Sequence, residues 1–118
     1  MVAATVLVIE DDPATGRLLE SVLQIGGLQP VLITNAEDAL ERLPDEEPDV
    51  ILCDLQLPGM DGAAFIEIVK ASDLADTPVV LMSAYGEPEQ HSADTFVGKP
   101  FDPFEVTHLI EAMARDGP

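Results

Sequence analysis

Several side chains able to do chemistry stand directly after short apolar runs of this chain. They are Glu10, Asp11, Asp12, Asp54, Ser83 and Lys99. Carboxylates that come close together repel one another, so they require protons or a cation. Oxygen-only ligands suit a hard divalent ion, and a site that keeps several waters suits Mg²⁺, with Mn²⁺ as an alternative. If the fold brings these residues together, they form a divalent-cation site with a hydroxyl and an ammonium beside it.

The apolar runs that precede these side chains read as parallel β-strands. Each run is rich in β-branched residues and lacks polar alternation, as expected for strands buried on both faces. The predicted strands are residues 5–9, 31–33, 50–53, 79–82 and 95–97. The second is short and flanked by proline, which suits an edge strand. Because parallel strands end along one edge of a sheet, where open α/β folds bind ligands, the chemical side chains should converge there.

Helical patterns fill the gaps between the strands and predict helices on both faces of the sheet. Asp12 and Pro13 begin the first, which stops at Gly26. The second begins after Asn35 and ends at Pro44. A third starts at Asp61, and the last opens with Asp102, Pro103 and Glu105. The apolar positions expected to face inward are Leu18, Leu19, Val22, Leu23, Ala36, Ala39, Leu40, Leu43, Ile66, Val69, Val106, Leu109, Ile110 and Met113.

The connection between the last two strands is short and has an unusual composition. Residues 84–94 contain Gly86 and Pro88, and from Gly86 onward Ala93 is the one apolar residue. A crossover with its helix usually needs at least about 10–12 residues, and this one has no apolar stripe to hold a helix on the sheet. We therefore predict an irregular or single-turn connection that is mobile and leaves the surroundings of Phe96 open.

Composition excludes several classes of function. The 118 residues include 23 acidic and five basic side chains, for a formal charge of −18, which argues against binding nucleic acid or an anionic membrane surface. No apolar run approaches the roughly 20 residues of a membrane span, and no basic signal-peptide start is present. Cys53 is the single cysteine, expected to be buried, and His91 and His108 are expected at the surface. These features predict one cytoplasmic domain over residues 1–118.

Four motifs follow one another over essentially the whole chain: VLVIEDD, DVILCDLQLPGMDG, PVVLMSA and FVGKPF. These motifs, in this order, resemble the receiver domain of two-component response regulators. The resemblance implies a flavodoxin-like, doubly wound five-stranded parallel sheet of order 2-1-3-4-5. It also implies a signalling domain, not an enzyme with a separate substrate. Its aspartate would take a phosphoryl group from a sensor histidine kinase, a histidine phosphotransfer protein or a small phosphodonor, and it would then act on an unknown downstream protein.

The resemblance assigns the predicted site residues to roles. Asp54 corresponds to the phosphoacceptor, and Glu10 and Asp11 to the acidic pair that binds Mg²⁺. Asp11 would bind the ion directly, while Glu10 would do so directly or through water. Gln56 would offer its backbone carbonyl to the ion. Lys99 would pair with the phosphoryl oxygens, and the peptide bond between Lys99 and the following proline would be cis.

A second group of residues corresponds to the switch of the family. Ser83 matches the hydroxyl that moves toward the phosphoryl group, and Phe96 stands where the family keeps its switching aromatic. Gln56 and Tyr85 occupy positions that tune hydrolysis of the aspartyl phosphate. Receivers normally place a complete helix between strands four and five. The present chain departs from them there, and its fourth helix should be shortened or absent.

Three alternatives remain open at the level of sequence. A phosphatase of the haloacid-dehalogenase type needs a second acid two residues after its nucleophile, where this chain has Gln56. A flavodoxin-like electron carrier would meet repulsion between its FMN phosphate and the acidic run that begins at Glu10. A receiver used as an interaction module without phosphorylation fits the fold equally well, although the set of site residues is complete.

Overall fold

The computed structural model describes residues 3–116, with side chains described as far as Arg115. The strands are β1 (Thr5–Ile9), β2 (Gln29–Ile33), β3 (Val50–Asp54), β4 (Val79–Ser83) and β5 (Thr95–Gly98). The helices are α1 (Pro13–Ile25), α2 (Ala36–Glu46), α3 (Gly62–Lys70) and α4 (Pro103–Asp116). Within these residues, no helix is both long enough and apolar enough to cross a membrane.

All five strands are parallel and pair in the order β2-β1-β3-β4-β5. This order confirms the doubly wound α/β fold and the edge position of the second strand. That strand begins at Gln29, two residues earlier than predicted. The Gln29 N–H donates to the Ala4 carbonyl over 2.8 Å, so pairing with β1 extends the strand through Pro30. β5 likewise runs one residue further than predicted, to Gly98.

Two apolar layers enclose the sheet. On one face, Leu7, Ile51 and Leu81 pack with residues of α2 and α3. On the other face, side chains from the same strands pack with residues of α1 and α4. Successive residues of a strand point to opposite faces, so strands rich in apolar residues at every position are explained by burial on both sides. The sheet is therefore a rigid frame whose carboxyl edge carries the predicted site.

Two helical predictions need correction. Leu18 is 46% exposed, because it lies one residue, or about 100°, away from Leu19 on the buried stripe of α1. Pro44 does not end α2, which continues to Glu46. The proline removes one N–H in the last turn, but the N–H of Glu47 still donates to the Leu43 carbonyl over 3.1 Å.

Residues 84–94 contain no helix, as predicted, and their last residue, Asp94, is bonded to β4 and α3. The Asp94 N–H donates to the Val79 carbonyl over 2.9 Å, and its Oδ2 accepts the Val79 N–H at 2.8 Å. The same Oδ2 lies 2.8 Å from Lys70 Nζ at the end of α3. The ring centroids of His91 and Phe96 lie 6.4 Å apart, and the His91 side chain is 11% exposed, so the prediction of a surface His91 is wrong. Phe96 itself is half-buried and lines a cavity formed with residues of α4, so its surroundings are open on that side, as predicted.

Candidate functional site

Three carboxylates meet at the carboxyl edge of the sheet. Glu10 follows β1, Asp11 is next along the chain, and Asp54 is the last residue of β3. One oxygen of each can be chosen so that all three lie within 4.8 Å of one another. Glu10 is only 1% exposed and Asp54 4%, whereas Asp11 is open to solvent. Two buried carboxylates and one exposed carboxylate thus lie close together, an arrangement that favours binding of a cation.

Lys99 supplies positive charge to this cluster. Its Nζ lies 2.7 Å from Glu10 Oε1 and 3.1 Å from Asp54 Oδ2. Burial alone would lower the pKa of Lys99, but the hydrogen bonds to these two carboxylates outweigh burial and raise it. Burial is also the main cause that raises the pKa of Glu10, against the opposing effect of its bond to Lys99. The ammonium is therefore held charged between two buried carboxylates.

The fourth predicted carboxylate, Asp12, has a different position. Its Oδ2 accepts from the Thr15 N–H at 2.9 Å and from the Thr15 hydroxyl at 2.7 Å, so it caps the first turn of α1. Hydrogen bonding to Thr15 lowers the pKa of Asp12. The Asp12 N–H also donates to Glu10 Oε2 over 3.1 Å. Asp12 therefore orients Glu10 and starts α1, and its carboxylate stands outside the cluster.

The free oxygens of the cluster fit a hard divalent cation. Both oxygens of Glu10 already accept hydrogen bonds, from Lys99 and from the backbone. Among the described residues, Asp54 Oδ1 is buried without a hydrogen-bond partner, and Asp11 makes no hydrogen bond through its carboxylate. A buried carboxylate oxygen left without a partner is costly unless a cation or water binds it. Asp11 and Asp54 are therefore suited to direct ligation, and Glu10 to a contact through water.

Ser83 ends β4 beside the cluster and is 1% exposed. Its Oγ donates to Gln56 Oε1 over 3.3 Å and accepts the Tyr85 N–H at 3.0 Å. The side chain of Gln56 is exposed at the mouth of the site, and the Tyr85 ring is 83% exposed. The single proton of the Ser83 hydroxyl is thus already used in the hydrogen bond to Gln56.

The aromatic neighbour of this region, Phe96, lies on β5 and packs against the core cluster that contains Leu81. The rings of His91 and Phe96 have centroids 6.4 Å apart and are inclined by 42°. His91 Nε2 lies 2.6 Å from Glu87 Oε2. Sequence reasoning did not place His91 beside Phe96, since an irregular segment has no periodicity from which the direction of a side chain could be inferred.

A cavity of about 340 Å³ opens next to the ammonium of the site. Its lining residues are Thr15, Leu18, Ala84, Lys99, Pro100 and Phe101. The Lys99–Pro100 peptide bond is cis, as the resemblance implied. The exposed Leu18 thus faces a largely apolar groove that ends at Lys99. A group bound in this groove would lie beside the carboxylate cluster.

Gly62, the first residue of α3, allows close packing behind the cluster. A Cβ at this position would lie 2.2 Å from the Asp54 carbonyl oxygen and 2.9 Å from Leu55 Cα. The Gly62 N–H donates to the Leu55 carbonyl over 3.0 Å. Only glycine permits this approach, so the residue after Asp54 and the start of α3 are held together at the site.

Comparison with known proteins gives a consistent family. The model of the response regulator receiver domain matches residues 6–111, a range that includes every residue of the site. The chain is similar to the phosphate regulon transcriptional regulatory protein PhoB of Klebsiella pneumoniae, with 36% identity over 96% of this chain and 52% of that protein. The chain spans about half the length of the curated relatives it matches.

Solved structures agree over nearly the full length. A response regulator described as putative from Chloroflexus aurantiacus superposes with a TM-score of 0.90 and 26% identity, over 97% of this chain and 99% of that one. The receiver domain of a signal transduction histidine kinase from Syntrophus aciditrophicus also gives a TM-score of 0.90, at 27% identity, over 97% and 92% of the two chains. The likeness therefore includes the whole sheet and the edge on which the cluster lies.

Proposed function

The chain belongs to the response regulator receiver domains, signalling modules of two-component systems, and on this premise we propose that Asp54 is its phosphoacceptor. One observation carries the assignment. Asp54 Oδ1 is buried and has no hydrogen-bond partner among the described residues, while Oδ2 is held 3.1 Å from Lys99 Nζ. Oδ1 is thus left for the cation, and Oδ2, the oxygen oriented by the ammonium, is the one that would form the bond to phosphorus.

Binding of Mg²⁺, or of Mn²⁺, is the second part of the proposal. Asp11, Asp54 and the backbone carbonyl of Gln56 would hold the ion, with Glu10 acting through water. When bound, the ion supplies positive charge that offsets the repulsion between these carboxylates and an incoming phosphoryl group. The bonds of Glu10 to Lys99 and to the Asp12 N–H keep its carboxylate oriented in the absence of direct ligation.

Asp54 and Lys99 would carry the transfer itself. An oxygen of Asp54 forms a bond to phosphorus as the bond between phosphorus and the donor nitrogen breaks, and the donor nitrogen leaves with the electron pair. Lys99 Nζ, 3.1 Å from Asp54 Oδ2, is close enough to pair with a phosphoryl oxygen after small movements. Because an aspartyl carboxylate is a weak nucleophile, the catalysis consists mainly of alignment and charge neutralisation. The domain assists only its own phosphorylation and dephosphorylation.

Ser83 and Phe96 would convert the new charge into a change of shape. The product adds about −1.5 to −2 charge at pH 7, by analogy with other phosphorylated side chains. Donation from Ser83 to a phosphoryl oxygen then vacates space that Phe96 can enter. Gln56 and Tyr85, which flank the hydroxyl, would tune the access of water to the acyl phosphate.

The phosphodonor would be a sensor histidine kinase or a histidine phosphotransfer protein, acting in the cytoplasm on a receiver domain that comprises residues 1–118. The groove lined by Leu18 and Phe101 ends at Lys99 and would accept the surface around the phosphohistidine of the donor. Apolar contact there would hold the donor phosphorus beside Asp54. The downstream partner is a protein, since the charge of −18 disfavours a direct contact with nucleic acid.

Intact-mass spectrometry after incubation with phosphoramidate and Mg²⁺ tests the function. We expect one phosphoryl adduct, which chelation of the ion prevents and Asp54→Asn abolishes. Asp45→Asn, an exposed position on α2, makes the same chemical change away from the site and should leave the adduct intact. An adduct of equal yield in Asp54→Asn would contradict the assignment, and absence of any adduct in the unaltered protein would favour an interaction module that works without phosphorylation.

A further inference from the structure

The 84–94 segment is tied at its start to Ser83 and at its end to β4. The Tyr85 N–H donates to Ser83 Oγ over 3.0 Å, which makes the proposed switch hydroxyl the tether of the first residues. At the other end, Asp94 makes two hydrogen bonds with the backbone of Val79, at 2.9 and 2.8 Å. The far end of the segment is therefore fixed to the sheet, whereas the near end depends on the position of one side chain in the site.

His91 closes the middle of this segment over Phe96. Its side chain is 11% exposed, and its ring lies 6.4 Å from that of Phe96, centroid to centroid. Nε2 lies 2.6 Å from Glu87 Oε2, and since a carboxylate oxygen only accepts, Nε2 is the donor. Both partners of His91 are thus identified: a ring on β5 and an acid four residues earlier. In this chain, an imidazole lies beside the aromatic side chain of β5.

The closed arrangement also contains unfavourable features. Among the described residues, His91 Nδ1 is buried without a hydrogen-bond partner, which water would supply if the ring turned outward. Gly86 has φ +91°, and a Cβ there would meet nothing within 4 Å, so the chain is unhindered close to the tethered start. The unsatisfied nitrogen offsets part of the gain from the ring contact, so the closed arrangement is only modestly favoured over an open one.

We propose that His91 is the positioning residue of Phe96 in the unphosphorylated domain and that phosphorylation separates the two rings. The inference rests on the proposed function of Asp54. Ser83 has one hydroxyl proton, so donation to a phosphoryl oxygen ends its bond to Gln56. The same movement takes Oγ away from the Tyr85 N–H and releases the start of the 84–94 segment. Phe96 then moves toward the space that Ser83 leaves, away from His91.

A thermodynamic consequence follows from this coupling. The contact between His91 and Phe96 stabilises only the resting conformation, so its removal shifts the population toward the phosphorylated conformation before any phosphoryl group arrives. A ligand that selects the phosphorylated conformation then binds more tightly to the variant. His91→Ala removes the ring, whereas His91→Phe keeps a ring against Phe96 without the bond to Glu87. His108→Ala, on the exposed face of α4, serves as a matched control.

Titration with beryllofluoride, an analogue of the phosphoryl group, in saturating Mg²⁺ measures this effect by calorimetry. His91→Ala should bind about two- to tenfold more tightly than the unaltered protein, the range of an aromatic pair of this kind, while His91→Phe and His108→Ala stay near the unaltered value. Unchanged or weaker binding of beryllofluoride by His91→Ala, or a gain in affinity by His91→Phe equal to that of His91→Ala, would overturn the role of His91 and leave the proposed function standing. Failure of the unaltered protein to bind beryllofluoride would instead overturn the proposed function.

Amide hydrogen exchange on the unaltered protein gives a test that needs no variant. Exchange of the Tyr85 amide should become faster when beryllofluoride and Mg²⁺ are bound, because that amide loses its bond to Ser83 Oγ. The Asp94 amide, bonded to the Val79 carbonyl, should keep its protection. Equal or slower exchange of the Tyr85 amide after binding would contradict the release of the segment.

Discussion

Replacement of Lys99 by methionine tests the electrostatic balance of the site. The change keeps the length and apolar stem of the side chain but removes the ammonium that lies 2.7 Å from Glu10 and 3.1 Å from Asp54. Each charge-assisted hydrogen bond contributes about 1.5–3 kcal/mol, and removing one partner of a buried pair is costlier than removing both. The Lys99 side chain is 19% exposed, so water can partly replace it. We therefore expect the free energy of unfolding to fall by about 2–4 kcal/mol at pH 7.5 without metal.

The pH dependence of this loss identifies its cause. Burial raises the pKa of Glu10, and the bond to Lys99 opposes that rise, so Lys99→Met should raise it further. For an acid with a raised folded-state pKa, the stabilising contribution is fully present below its unfolded pKa and is lost as pH rises through the folded pKa. The destabilisation by Lys99→Met should therefore be larger at pH 7.5 than at pH 5, where the buried carboxylate takes up a proton.

Urea unfolding followed by circular dichroism measures both effects. Lys99→Met/Glu10→Gln is the matched control, since it removes the buried charge together with its partner. It should recover roughly half of the stability lost by Lys99→Met, and saturating Mg²⁺ should recover part of the loss in the single variant. A loss below about 1 kcal/mol, or a loss that does not change between pH 5 and 7.5, would refute the view that Lys99 compensates buried carboxylates.

Three further predictions concern other parts of the site. By calorimetry, Asp11→Ala should weaken Mg²⁺ binding at least about tenfold more than Glu10→Ala, because both Glu10 oxygens already accept hydrogen bonds. The Asp11→Ala protein should also melt at a higher temperature than the unaltered protein without metal, and a lower melting temperature would exclude electrostatic strain between the carboxylates. Burial raises the pKa of Cys53, so its reaction with a thiol reagent should follow global unfolding in urea, and rapid labelling of the folded protein at pH 8 would argue against burial. Gly62→Ala should lower the free energy of unfolding by about 1–3 kcal/mol and slow phosphorylation, while Gly98→Ala should do neither. Urea unfolding measures the first effect and intact mass the second, and equal effects of the two substitutions would be inconsistent with a close contact at Gly62.

Several features of this protein could be predicted from local sequence alone. Strands without polar alternation indicate burial on both faces, and Asp12, Asn35 and Asp61 mark helix starts because their short side chains accept a backbone N–H three residues on. The absence of a helix from residues 84–94 follows from composition, since those residues offer no apolar stripe. These are properties of the chain over a few residues, and the structure confirms them.

The convergence of the site could also be predicted, because all parallel strands end at one edge of their sheet. The sequence did not show which carboxylate oxygen of the site accepts a hydrogen bond from which donor. Lys99 and Glu10 are 89 residues apart, and their contact depends on the register of β1, β3, β4 and β5. Nor did the sequence show that Asp54 Oδ1 has no hydrogen-bond partner in the part of the chain that the structure describes.

Only the tertiary structure decided which side chains are covered outside the regular elements and at the margins of helical faces. His91 appeared to be an isolated surface histidine, and Leu18 appeared to be part of a buried stripe. The first lies on an irregular segment, where no repeating angle relates one residue to the next, and Phe96 supplies the surface against which it packs. The second lies at the edge of a helical face, where the neighbouring loop leaves a groove instead of a covering layer. Periodicity indicates the side of an element on which a residue lies, but contacts with chain segments distant in sequence determine whether that side is covered.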